Sequence, residues 1–144
     1  MNHNPYPTMI KVKTVVVCIV DDDDIYQYTA TKAIKALGVV KKILVLSDGE
    51  QALEYLEHNI LNPALLPDVI YLDINMPYLD GWGFMDEYAK KKPKLPKKIT
   101  IYLVTSSVSP YDIERAKKIS DISDYLVKPI TMEDFKRTIE QTTQ

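Results

Sequence analysis

Five short apolar runs punctuate the chain, at residues 15–20, 43–46, 69–72, 99–104 and 125–127. The first and fourth are rich in β-branched residues and hardly alternate with polar ones, which predicts strands covered on both faces, as in a parallel sheet. Between the runs, apolar residues recur at helical spacing. Tyr26, Ala30, Ala33, Ile34 and Leu37 fall three and four apart, and Gly38 offers a stop. Ala52, Leu53, Leu56 and Ile60 predict a second helix, with Ser47 and Glu50 at the spacing of a capping box. Trp82, Met85, Tyr88 and Ala89 predict a third. Ser109 and Pro110 read as a cap and a first-turn proline ahead of Ile113, Ala116 and Ile119. Thr131 caps a last helix that carries Phe135 and Ile139 on one face. A strand followed by a helix, five times over, predicts an α/β fold. Its core is an open five-stranded parallel sheet with right-handed crossovers and helices on both faces.

No internal repeat or second domain interrupts this order. Residues 13–144 are expected to form one domain, and the polar, proline-containing stretch 1–12 a flexible tail. The longest irregular connections are 59–67 and 90–98. The second packs six lysines and two prolines into nine residues. It has no aromatic residue for base stacking and its prolines forbid a recognition helix, so a solvated connection is expected and nucleic acid is not.

Composition narrows the classes. Hydrophobic residues make up 46% and charged residues 26%, a globular balance rather than a disordered one. The net charge of −2 gives no pull toward nucleic acid or an anionic membrane. Cys18, the single cysteine, lies in an apolar run, which excludes an internal disulfide and suits a small buried hydrophobe. His3 and His58 have no partners at metal-ligand spacing. No segment has the length of a membrane span, and the N-terminus lacks a secretory signal, so a cytoplasmic location is expected.

In an open α/β sheet, ligands bind beyond the carboxyl ends of the strands. Asp21, Asp22, Asp23 and Asp24 follow the first run, Asp73 the third, Thr105 and Ser106 the fourth, and Lys128 with Pro129 the fifth. Each alone is commonplace, since aspartates often start helices and a Lys-Pro pair often makes a turn. Together they bring carboxylates, a hydroxyl and an ammonium to one edge. Clustered carboxylates repel unless a cation neutralises them, and oxygen-only ligands favour Mg²⁺. The four glycines form no phosphate-cradling loop. The pattern fits a small anionic group beside Mg²⁺, with a carboxylate free to attack, as phosphoryl transfer requires.

The stretches Ile19-Val20-Asp21-Asp22-Asp23, Leu72-Asp73-Ile74-Asn75-Met76-Pro77 with Asp80-Gly81, Val104-Thr105-Ser106 and Tyr125-Leu126-Val127-Lys128-Pro129 resemble the response-regulator receiver domain of two-component signalling. The resemblance runs from about residue 13 to the C-terminus. It implies a doubly wound, flavodoxin-like receiver fold. It also implies that Asp73 attacks the phosphoryl group of a phosphohistidine and becomes an acyl phosphate. Asp22 would bind Mg²⁺ directly, Asp21 through water, and the backbone carbonyl of Asn75 would complete the ligand set with Asp73. Lys128 would pair with the phosphoryl oxygens, Thr105 would donate to one of them, and small Ser106 would leave the group room to enter. Thr105 and Tyr125 would form the switch. Pro129 would follow a cis peptide bond, and Gly81 would let the loop after Asp73 turn tightly. The implied partners are a histidine kinase or histidine phosphotransfer protein.

The protein would be a phospho-accepting signalling domain rather than an enzyme. With no output domain after the last helix, a protein contact is the expected output. Two other readings remain: a haloacid-dehalogenase-type phosphatase using Asp21 and Asp23, and a pseudo-receiver with the fold but no phosphorylation.

Overall fold

The computed structural model describes residues 14–142, so the tail expected over 1–12 lies outside the described residues. The strands are β1 (Val15–Val20), β2 (Val40–Leu46), β3 (Val69–Asp73), β4 (Thr100–Thr105) and β5 (Ile122–Val127). The helices are α1 (Asp24–Ala36), α2 (Gly49–His58), α3 (Gly81–Lys91), α4 (Pro110–Lys117) and α5 (Met132–Thr142). All strand pairs are parallel, in the order β2-β1-β3-β4-β5. This is the expected doubly wound sheet, with its order reversing next to β1.

Every residue of β1 and β3 is buried, because helices cover both faces of the sheet there. On one face Val16, Cys18, Val20, Ile70 and Leu72 pack with Leu53, Leu56, Phe84, Met85 and Ala116 of α2, α3 and α4. On the other, Val17, Ile19, Tyr71, Tyr102 and Val104 meet Ala30 and Ile34 of α1 and Phe135 and Ile139 of α5. A fully buried side chain of this size contributes about 1.5–3 kcal/mol, so the central strands anchor both layers. Two phenols of this core, Tyr71 and Tyr102, bring their hydroxyls in with partners. Tyr71 Oη lies 2.5 Å from Thr138 Oγ1, and Tyr102 donates to the Thr138 carbonyl at 3.2 Å.

Several local expectations change. The cap of α2 is Asp48, which accepts from the Gln51 N–H, and it is Gln51 whose side chain accepts from the Ser47 N–H. The capping box therefore lies one residue later than Ser47 and Glu50. In α3, Phe84 is buried and Ala89 is exposed. Gly38 does take a left-handed conformation after α1, with φ of 69°.

The lysine-rich stretch is more than a solvated connection. The α3 helix runs through Lys91, and residues Lys92–Lys94 form a 3₁₀ turn. Lys91 pairs with Glu57 of α2, Lys92 with Asp121 before β5, and Lys97 with Asp68 at 3.0 Å. Asp68 also accepts from the Val16 N–H at 2.8 Å. The basic segment thus fastens four elements at the amino ends of the strands, the end away from the acidic cluster.

Candidate functional site

The carboxyl ends of β1, β3, β4 and β5 bring the chemistry together. Asp21, just past β1, is 1% exposed, Asp73 closes β3 at 7%, and Asp22 is exposed. Each offers a carboxylate oxygen within 4.8 Å of the others. Thr105, the last residue of β4, is fully buried. Lys128 follows β5, donating its backbone N–H to the Thr105 carbonyl at 2.7 Å, and the Lys128–Pro129 bond is cis as expected. The Lys128 ammonium reaches Asp21 Oδ2 at 2.6 Å and Asp73 Oδ1 at 3.8 Å.

The four-aspartate run divides by role. Asp21 accepts the Asp23 N–H on Oδ1 at 2.9 Å and Lys128 on Oδ2. Asp23 caps α1, accepting from the N–H groups of Ile25 and Tyr26, and Asp24 opens the helix. Asp23 commits one carboxylate oxygen to the cap, and it is Asp22 and Asp73, not Asp23, that gather with Asp21, unlike the Asp21–Asp23 pairing of the haloacid-dehalogenase-type reading. With both Asp21 oxygens engaged, Asp22 and Asp73 keep the freer ones.

Burial, followed by the negative charge of Asp21, pushes the Asp73 carboxyl up to about 6, against the opposing pull of Lys128. A single ammonium thus leaves three clustered carboxylates under-neutralised. All-oxygen donors with an excess of negative charge and one solvent-exposed member suit a hard divalent cation.

The loop after β3 contains Asn75, whose side chain is exposed, and Tyr78, whose φ of 65° supplies the left-handed turn. The role expected of Gly81 is therefore different. It is needed for close approach, because a Cβ there would stand 2.6 Å from the Asp73 carbonyl oxygen and 3.0 Å from Ile74 Cα. Ser106 is exposed at the mouth of the site. Thr105 accepts the Ser107 N–H at 3.3 Å, which leaves its own proton to donate. Tyr125 is half-buried against the α2–α3–α4 layer, and its hydroxyl donates to the Ser107 carbonyl at 3.0 Å. Ser107 therefore joins the two residues expected to switch.

Tyr26 is the site residue that sequence reasoning missed. Its helical spacing marked it as core, and it does pack against the α1–α5 layer. Its ring, however, also lies under the Lys128 ammonium. No sequence signal separates those two uses.

Among the described residues, no helix is long and apolar enough to cross a membrane. Comparison with known proteins agrees with the geometry. The chain is 30% identical over 126 residues to a probable methanogenesis regulatory protein of Methanothrix harundinacea, covering 88% of this chain and 79% of that one. A two-component response regulator from Cytophaga hutchinsonii superposes with a TM-score of 0.82 at 26% identity, over 92% of this chain and 98% of that one. The receiver domain of a Pseudomonas aeruginosa sensor histidine kinase, described with a magnesium ion coordinated in its active-site cleft, has the same fold. Its TM-score is 0.72 at 21% identity, over 90% of this chain and 98% of that one. Residues 17–140 match the response regulator receiver domain, and the chain belongs to that family.

Proposed function

We propose that residues 13–144 act as a phospho-accepting signalling unit, with Asp73 taking the phosphoryl group from a histidine kinase or histidine phosphotransfer protein. The observation that carries this reading is the convergence of Asp21, Asp22 and Asp73 within 4.8 Å, with Lys128 alongside. An Asp73 carboxylate oxygen would bond to phosphorus as the phosphorus–nitrogen bond of phosphohistidine breaks, the electron pair returning to the imidazole. Lys128 would turn from Asp21 toward the phosphoryl oxygens, and Thr105 would donate its hydroxyl to another of them. Asp22, Asp73 and, through water, Asp21 would hold Mg²⁺ with the Asn75 carbonyl; the ion supplies charge neutralisation at the transferring group. Activity would be limited to phosphorylating itself and hydrolysing its own acyl phosphate. A cytoplasmic location and an output by protein contact go with this reading.

With Mg²⁺ and acetyl phosphate, the protein should gain one base-labile phosphoryl group by intact mass, and none in EDTA. Asp22→Ala should raise the Mg²⁺ concentration needed by roughly tenfold or more, since losing even a group that only orients a ligand costs about that much. Equal labelling in EDTA would end the metal assignment, and no labelling of the wild type in Mg²⁺ would end the phospho-acceptor reading.

The reading extends to a switch. A cleft of about 260 Å³ lined in part by Ile113, Ala116, Ile122 and Tyr125 adjoins α4. Thr105 drawn toward a phosphoryl oxygen would release the Ser107 N–H. The Ser107 carbonyl held by Tyr125 would shift with it. The coupling is expected to be modest, because a ligand biases two states only by its differential affinity. Beryllofluoride, standing in for the phosphoryl group, should shift the NMR resonances of Ser107, Tyr125 and α4. Shifts confined to the neighbourhood of Asp73 would rule the switch out.

A further inference from the structure

Lys128 is held by more than carboxylates. Its Nζ stands 4.2 Å from the centroid of the Tyr26 ring, within the range of a cation–π contact. The same ammonium is bonded to Asp21 Oδ2, and the lysine side chain is only 17% exposed. The turn between them is closed by hydrogen bonds. Asp21 Oδ1 accepts the Asp23 N–H at 2.9 Å, and Asp23 Oδ1 accepts the Tyr26 N–H at 3.2 Å. One short stretch of chain therefore supplies two of the groups that touch the ammonium, an anion and a ring face, in fixed relation to one another.

The Tyr26 hydroxyl sharpens the point. Among the described residues it is the buried side-chain polar atom left without a hydrogen-bond partner. Burying a hydroxyl unpaired is unfavourable, so the hydroxyl is not what holds this residue in place. Burial and the charges of Asp21 and Asp73 push the phenol further up from its ordinary range, so it stays neutral and the ring does not repel the neighbouring carboxylates as a phenolate would. What the residue offers the site is its face.

Lysine is a flexible point charge on a long stem, and its usefulness to a transferring phosphoryl group depends on where the ammonium is held. We propose that Tyr26 is a positioning residue for phosphoryl transfer, its ring face holding the Lys128 ammonium beside Asp21 and Asp73. The inference rests on the role given to Lys128 above.

The test begins with the unphosphorylated protein. A ring stacked on the lysine shifts the Lys128 ε-methylene protons upfield by ring current. That shift should be present in the wild type, retained in Tyr26→Phe and lost in Tyr26→Leu. The labelling rate with acetyl phosphate at saturating Mg²⁺ should then fall about three- to tenfold in Tyr26→Leu, with Tyr26→Phe restoring most of it, in keeping with a partly desolvated cation–π contact. Lys128 protons at unshifted positions in the wild type would overturn the inference even if Tyr26→Leu failed to fold. So would a Tyr26→Phe variant as slow as Tyr26→Leu, which would assign the effect to the hydroxyl. A wild type that shows the ring-current shift but takes no label would instead remove the phospho-acceptor reading and leave the contact standing.

Discussion

Asp73→Ala is expected to take up no phosphoryl group under conditions that label the wild type fully. Of the three clustered carboxylates, Asp73 is the one at the end of a central strand whose oxygens are not both committed. Asp21 is bonded on one side by the Asp23 N–H and on the other by Lys128. Asp22 is exposed and is the better placed to hold a cation. The raised Asp73 carboxyl, at about 6, is still ionised at neutral pH and is more basic, hence more nucleophilic, than an ordinary aspartate. Removing it relieves repulsion with Asp21, so the variant should remain folded and the loss cannot be blamed on unfolding. Intact-mass measurement after acetyl phosphate treatment decides the matter. Undiminished labelling of Asp73→Ala, or label mapped to a peptide holding Asp21 or Asp22, would transfer the acceptor role.

The largest effect on stability is expected from Lys128→Met. The change keeps most of the stem and deletes the one cation that, among the described residues, lies in hydrogen-bond reach of Asp21, a carboxylate 1% exposed. Breaking one side of a buried pair costs about 3–5 kcal/mol; because Lys128 keeps 17% of its side chain in solvent, a loss of about 2–4 kcal/mol is expected at pH 7.5 without metal. For a chain of this size that corresponds to a melting temperature roughly 5–15 °C lower.

The pH dependence follows from Asp73. Its folded pKa, about 6, lies above its unfolded value, so its ionisation weakens the fold as pH rises through that range, and protonation restores stability as pH falls. Without the lysine the carboxyl moves higher still, and the variant should recover much of its deficit between about pH 7 and 5. Melting curves across that window check it. A deficit that is the same at both ends would mean that Lys128 supports the fold by packing rather than by charge.

The central strands were legible in the sequence because nothing else explains runs such as VVVCIV, buried on both faces. The edge strands were legible only in part. β2 begins at Val40 and β5 at Ile122, but Lys41, Lys42, Ser123 and Asp124 face solvent and hide the strand from any reading of apolar runs. The cap of α2 was misplaced by one residue because Ser47 and Asp48 are both good caps, and the choice is made by packing: Gly49 donates to the Leu79 carbonyl at 3.1 Å. Asp21, Asp22, Asp73, Thr105 and Lys128 stood out because each ends or closely follows an apolar run. The clasp of Lys91 and Lys92 and the placement of Tyr26 depend on what lies across the fold, which spacing along one chain does not encode.

That clasp also separates two kinds of freedom. The connection at 59–67 lies outside the clasp and enters β3 at its amino end, so the chain has spare length at the end of the sheet opposite the carboxylates. Leu61 is 89% exposed there. Exposed loop tips accept inserted sequence most readily. This end is accordingly where a fluorophore, an affinity tag or a pair of relocated chain termini can be grafted, leaving the acidic mouth and the α4–β5 surface uncovered.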